Sequence, residues 1–208
     1  MPKAEFFQRL GLYAIDGFLD PEACRDLREA VQSGSWRAGT VGNVEGTDFS
    51  VDARVRSVRW VNVGETIAST VRERLLNVTP AVADHYHTAL SACEPLQFLA
   101  YGVGDHYKPH RDHYDESVQS AEEKTGTSKA RRVSAVIFLN NRSENTAPNH
   151  YGGGALTFYG LFDNPTGDTL GIPLEADEGL LITFPSGMLH AVAPVTHGER
   201  YTIATWFF

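Results

Sequence analysis

The second half of the chain limits the fold most. After Glu94 apolar residues stop recurring at helical spacing. They fall into short runs (LQFLAY, VSAVIFLN, ALTFY, LLITF, LHAVAPV and YTIATWFF) that are rich in β-branched and aromatic residues and divided by Gly, Pro, Asn and Asp. Strands this short bury their apolar faces by pairing into an antiparallel sandwich or barrel. The first half reads differently. Asp20-Pro21-Glu22 followed by ACRDLREAVQSG predicts a helix capped by Asp20, with Pro21 in its first turn, Gly34 past its end and Leu27, Ala30 and Val31 as its apolar stripe. Ile67, Val71, Leu75 and Leu76 predict a second helix over Glu65–Leu76, and a third is expected from Pro80 to about Ala92. The stretch from Trp36 to Trp60 reads as strands with an exposed connection. Helices first and strands afterwards give an α+β class.

A length of 208 residues with 42% hydrophobic content suits one domain, and no internal repeat or low-complexity linker divides it. The expectation is a single domain over 1–208, with 1–93 as helical support and early strands and 94–208 as the functional β-structure. A formal net charge of −8 argues against a nucleic-acid partner, and the isolated strip Lys129-Ala130-Arg131-Arg132 does not change that. The N-terminus lacks the apolar run of a signal peptide, no segment has membrane-spanning length, and Cys24 and Cys93 form no Cys-x-x-Cys pair. A cytoplasmic location with no membrane partner is therefore expected. The glycosylation spacing at Asn77-Val78-Thr79 is read as chance.

Within this frame the stretch YGVGDHYKPHRDHYDE, residues 101–116, concentrates three histidines and three aspartates. Pro109 forbids a helix that would align His106 with His110. On an extended strand, residues two apart share a face, so His110 and Asp112 can grip one cation together. His190, at the start of an apolar strand after a Pro/Gly turn, is the best third ligand, because a buried imidazole there needs a partner. His85, His87, His150 and His197 read as ordinary surface or boundary histidines, while His106 and His113 flank the ligand pair without a role the sequence defines. Two histidines and one carboxylate with open positions suit non-haem Fe(II), although zinc hydrolases use the same set.

Arg200, ten residues after His190, interrupts a strand that is otherwise apolar or hydroxylated. A guanidinium entering a barrel interior needs an anion, and its planar fork suits a carboxylate. By alternation Thr202 and Trp206 share its face.

These residues resemble the prolyl 4-hydroxylase branch of the 2-oxoglutarate- and Fe(II)-dependent dioxygenases. YGVGDHYKPHRD is similar to the family's Tyr-x-x-Gly-x-x-Tyr-x-x-His-x-Asp segment. The resemblance runs from EPLQFLAY through RRVSAVIFLN, GGGALTF and EGLLITFPSG to HAVAPVTHGERYTIATWF, roughly residues 94–207. It implies a double-stranded β-helix (jelly roll), with His110, Asp112 and His190 as iron ligands. Arg200 and Tyr101 would bind the distal carboxylate of 2-oxoglutarate, with Tyr107, Thr202 and Trp206 lining the pocket. Fe(II), 2-oxoglutarate and O2, with ascorbate as an accessory, are the implied cofactors. The implied reaction is hydroxylation of a C–H bond with release of succinate and CO2. Asp112 matters to that reading, since related halogenases lack this carboxylate. The branch points to a prolyl residue in a protein or peptide as substrate.

Two departures bear on the substrate. The segment from Asn140 to Gly153 is about ten residues longer than the turn expected in collagen-type members, and Leu156 stands where they carry threonine. A free amino acid or a small natural product is therefore an alternative substrate, and a non-catalytic metal-binding jelly roll is the rival from another class. Gly39–Asp52 and Asn140–Gly152 are the segments expected to close over the substrate.

Overall fold

The computed structural model describes residues 3–42, 49–112, 131–161, 170–174 and 176–208. His113, Asp115 and the polar stretch 116–129 lie outside the described residues, as do residues 43–48 of the first expected closing segment. The chain opens with α1 (Lys3–Arg9), β1 (Tyr13–Ile15) and α2 (Pro21–Ser33). Four short strands and a fifth follow: β2 (Ser35–Ala38), β3 (Val41–Gly42), β4 (Phe49–Ser50), β5 (Arg56–Ser57) and β6 (Arg59–Asn62). After α3 (Glu65–His85) come β7 (Gln97–Tyr101), β8 (His106–His110), β9 (Val133–Phe138), β10 (Gly152–Gly153), β11 (Leu156–Phe158) and β12 (Ile172–Pro173). The chain closes with β13 (Leu181–Pro185), β14 (His190–Val192), β15 (Val195–His197) and β16 (Arg200–Phe207).

All six apolar runs expected as strands form strands. They are distributed over a seven-stranded sheet, in the order β1-β13-β9-β16-β7-β6-β2, and a five-stranded sheet, in the order β12-β11-β14-β8-β5. Alternation divides the large sheet into two faces. Phe98 and Ala100 of β7, Ile137 of β9 and Ile203 of β16 pack with Leu27 and Val31 of α2 and with Val71, Leu75 and Val82 of α3. The opposite face turns Phe138, Ile182 and Phe184 toward Leu156 and Phe158 of the smaller sheet. Further residues of this inner face, among them Leu99, Tyr101, Ser134 and Val136, line the cavity described below.

The helix over Pro21–Ser33 forms as its sequence predicts: Asp20 accepts from the Ala23 amide at 2.8 Å. Gly34 ends it in an extended rather than left-handed conformation. Its glycine is needed for space, because a Cβ there would come within 2.5 Å of the Asn62 carbonyl oxygen and the Val61 side chain.

The expected pair of helices on either side of Pro80 is instead one helix, Glu65–His85, with the proline inside it, and residues 86–92 are not helical. An interior proline costs a helix ~3 kcal/mol. Here Val71, Leu75 and Val82 form one buried stripe, each side chain contributing about 1.5–3 kcal/mol by burial. A helix broken at Pro80 would lose that common face. Thr79 is buried on the same stripe, its hydroxyl donating to the Leu75 carbonyl at 3.1 Å. Among the described residues no helix is long and apolar enough to cross a membrane.

Candidate metal centre

His110 ends β8, and His190 begins β14. These strands are antiparallel neighbours in which His190 and His110 are direct cross-strand partners. A register shift lies next to them: Val192 pairs with Tyr107, so Ala191 alone of β14 faces both Lys108 and Pro109 of β8. In a regular strand Tyr107 and His110 would point to opposite faces. The irregularity turns both into the same cavity, where their rings stack at 3.5 Å between centroids. Asp112 lies just beyond the end of β8. Its backbone N–H donates to the Ser186 carbonyl at 2.9 Å, which fixes the chain at that point.

The three ligand groups converge. His110 Nε2 lies 3.5 Å from one Asp112 carboxylate oxygen and His190 Nε2 lies 3.4 Å from the other. The available donor atoms of the three residues fall within 4.8 Å of one another. Each imidazole is oriented from behind. His110 Nδ1 bonds the Lys108 carbonyl at 2.8 Å, and His190 Nδ1 bonds the Met188 carbonyl at 2.9 Å. A carbonyl only accepts, so each Nδ1 carries the proton and each Nε2 presents its lone pair to the centre. Burial pushes the His190 imidazole down to about 4, so it stays neutral at physiological pH. Burial alone would push the Asp112 carboxyl up. Positive charge on the His190 or His110 imidazole, together with Trp206, instead pulls it well below the usual carboxylate range. Ser134 adds a further hydrogen bond, its hydroxyl donating to Asp112 Oδ2 at 2.8 Å. Two neutral nitrogens and one anionic oxygen make a donor set that fits Fe(II).

The centre faces a cavity of about 580 Å³ lined by both sheets. Arg200, Thr202, Ala204 and Trp206 of β16 all line it, as alternation predicts for the first, second and last of these. Arg200 is 1% exposed. One of its terminal nitrogens donates to Thr202 Oγ1 at 3.2 Å, and its charge partly offsets the upward push of burial on the Tyr151 phenol. Tyr101 is its cross-strand partner on β7, with the guanidinium carbon 5.1 Å from that ring. Among the described residues no carboxylate reaches Arg200, and its buried Nε has no acceptor. A desolvated guanidinium in that condition is a ready anion site. Phe184 packs edge-on against His190 at 4.7 Å, keeping that side of the centre dry.

Comparison with known proteins agrees with this arrangement. The family model described as the 2OG-Fe(II) oxygenase superfamily matches residues 96–208, more than half of the chain. The chain belongs to that superfamily. It is a 2-oxoglutarate-dependent non-haem iron oxygenase. Over 197 residues it is 27% identical to a PKHD-type hydroxylase of Cupriavidus metallidurans, covering 94% of this chain and 77% of that protein. Its jelly-roll fold is shared with a Pseudomonas putida prolyl-4-hydroxylase at a TM-score of 0.66 and 21% identity, over 99% of this chain and 97% of that one. A Trichoplax adhaerens prolyl hydroxylase, solved with a hypoxia-inducible-factor peptide fragment, superimposes with a TM-score of 0.67 at 18% identity, covering 99% and 86% of the two chains.

Other histidines of the oxygenase stay outside the centre. His106 turns to the Gly104 and Arg54 carbonyls at 3.1 and 3.4 Å, and His150 to the Pro148 carbonyl at 2.8 Å. Sequence reasoning missed Tyr151, Ser134 and Arg56. Ser134 could have been found, since alternation in VSAVIFLN puts this one hydroxyl on the inner face with Val136 and Phe138. Tyr151 lies in a segment without periodicity, and nothing in the sequence marks it as buried.

Proposed function

We propose that the chain hydroxylates a C–H bond of a prolyl residue in a protein or peptide, with His110, Asp112 and His190 holding Fe(II). Arg200 pairs with the distal carboxylate of 2-oxoglutarate, assisted by the hydroxyls of Tyr101 and Thr202, and Tyr107 and Trp206 line the pocket. The observation that carries this reading is Arg200: a buried guanidinium without a carboxylate partner among the described residues, opening on the same cavity as the triad. A structural metal site has no use for such a cation. When bound, Fe(II) and 2-oxoglutarate supply dioxygen activation, one oxygen atom entering the substrate as hydroxyl and the other entering succinate as CO2 is lost. Asp112, kept anionic, and the two neutral imidazoles balance part of the metal's charge. Phe184 and the large sheet's inner face exclude water. A peptide substrate is supported by the peptide held in the Trichoplax relative. In this reading α2 and α3 brace the outer face of the large sheet, and ascorbate serves as an accessory reductant.

The test is anaerobic addition of Fe(II) and 2-oxoglutarate, followed by the weak visible charge-transfer band of the chelate and then by succinate release in air. Absence of both would overturn the reading. Arg200→Ala should raise the 2-oxoglutarate requirement at least tenfold and leave metal binding nearly intact. Loss of both together would make Arg200 a structural residue.

A further inference from the structure

Three arginines are buried in the described structure: Arg28, Arg56 and Arg200. The charge of Arg28 is met inside the fold by an ion pair with Glu178. Arg200 is the group read above as meeting the cosubstrate. Arg56, 9% exposed, has neither. Its terminal nitrogens donate to the Thr40 carbonyl at 2.9 Å and to Gln97 Oε1 at 3.1 Å, both neutral acceptors, and its buried Nε has none. No carboxylate of the described residues lies within ion-pair distance of it. Arg131, which also lines the cavity, is by contrast met within the fold: Glu94 accepts from it at 2.6 and 2.8 Å. A guanidinium has five N–H donors, and Arg56 spends two. Keeping the remainder desolvated and uncompensated is costly unless an anion arrives.

The position of Arg56 says what that anion belongs to. Arg56 pairs across the strands with Tyr107, its guanidinium carbon 4.9 Å from the ring, and Tyr107 in turn stacks on His110. Cation, phenol and metal-ligating imidazole form a single stack lining one cavity. The Tyr107 ring alone separates the guanidinium, 4.9 Å from it, from the His110 imidazole, 3.5 Å beyond it. Arg200 projects from the other sheet, so one dicarboxylate chelated at the centre and held by Arg200 leaves Arg56 for a second molecule.

We propose that Arg56 docks a carboxylate carried by the substrate close to the carbon that is hydroxylated. The proposal rests on the oxygenase reading, because it assigns the second anion to substrate once Arg200 has taken the first. The carboxylate is either the α-carboxylate of a free amino acid or the side chain of an Asp or Glu next to the target residue in a peptide.

The experiment loads the protein with Zn(II) and 2-oxoglutarate and titrates matched probes by tryptophan fluorescence, since Trp60 and Trp206 line the cavity. One arm compares L-amino acids, proline included, with their carboxamides. The other compares N-acetylated, C-amidated prolyl peptides bearing Asp or Glu with their Asn or Gln counterparts. At least a tenfold preference for the carboxylate member is expected in one arm, which identifies the source. Arg56→Gln should reduce that preference to within about twofold, and Arg56→Lys, which keeps the charge, should retain part of it. Equal binding of every pair by the wild type, or a preference that survives Arg56→Gln, overturns the proposal. Should Arg56→Gln not fold, a preference in Arg56→Lys that is reduced but not abolished supports the proposal, and one undiminished from the wild type overturns it. Failure of 2-oxoglutarate to bind the Zn(II) protein would instead defeat the oxygenase reading.

Discussion

Tyr107 lies flat against the imidazole of His110, with ring centroids 3.5 Å apart and planes 18° from parallel. The stack exists because β8 and β14 slip by one residue between His190 and Val192. Tyr107 and the Lys108 carbonyl together leave the His110 ring one orientation. Tyr107→Ala should therefore weaken metal binding about tenfold, as loss of groups that orient metal ligands commonly does. Competition for Zn(II) with a chelator of known affinity measures it. Unchanged affinity would show that the Lys108 carbonyl suffices.

The carboxylate is oriented by a different device. Ser134 donates to Asp112 Oδ2 at 2.8 Å and lies 3.0 Å from the Ser186 hydroxyl, on a β9 position that is 1% exposed. Ser134→Ala removes the donor without adding bulk. The expected result is a loss in metal affinity of about tenfold and a stability cost of about 1 kcal/mol in the metal-free protein. Chelator competition and chemical denaturation separate the two effects.

How much of this was legible in the sequence follows from how locally each feature is determined. The strands of the second half were legible because alternation is a local property, and Arg200 stood out because a charge interrupts an apolar run. The meeting of His110 with His190 was not geometrically legible, since a register shift between distant strands leaves no mark in either. The helix through Pro80 was misread because a breaker acts locally while the stripe that overrides it needs the sheet beneath. Arg56 was invisible for a related reason. It sits in a two-residue strand between Arg54, which is exposed and bonded to Asp52, and Arg59, which pairs with Glu199. Only the folded chain distinguishes the buried arginine from its surface neighbours.

The glycines before β11 offer a test of the Arg200 pocket that leaves its polar groups in place. Gly154 adopts φ +56°, and a Cβ there would lie 3.1 Å from Arg200 Cδ and 3.2 Å from the Tyr151 ring. Gly154→Ala should cost about 1 kcal/mol or more through its left-handed backbone. It should also raise the 2-oxoglutarate dissociation constant several-fold by displacing Arg200. Calorimetric titration of the Zn(II)-loaded protein reads the second effect. A destabilised variant with unchanged 2-oxoglutarate binding would confine the glycine's role to the turn.

Stability at high pH should depend on Tyr86. Its hydroxyl donates to the Thr183 carbonyl at 2.6 Å and accepts from the Tyr13 amide at 3.0 Å, joining the end of α3 to β1 and β13. Burial pushes this phenol up to about 12 from its ordinary value near 10. Between those values the folded chain keeps a proton that the unfolded chain has lost. The stabilisation is therefore complete below about pH 10 and is lost as pH rises through about 12, amounting to about 3 kcal/mol. Tyr201 is likewise pushed up to about 12 by burial and adds a slope of the same sign. Tyr86→Phe should cost about 1 kcal/mol at neutral pH and flatten, without abolishing, the fall in unfolding free energy between pH 10 and 12. Urea denaturation at several pH values measures both, and an unchanged slope in the variant would place the alkaline sensitivity elsewhere.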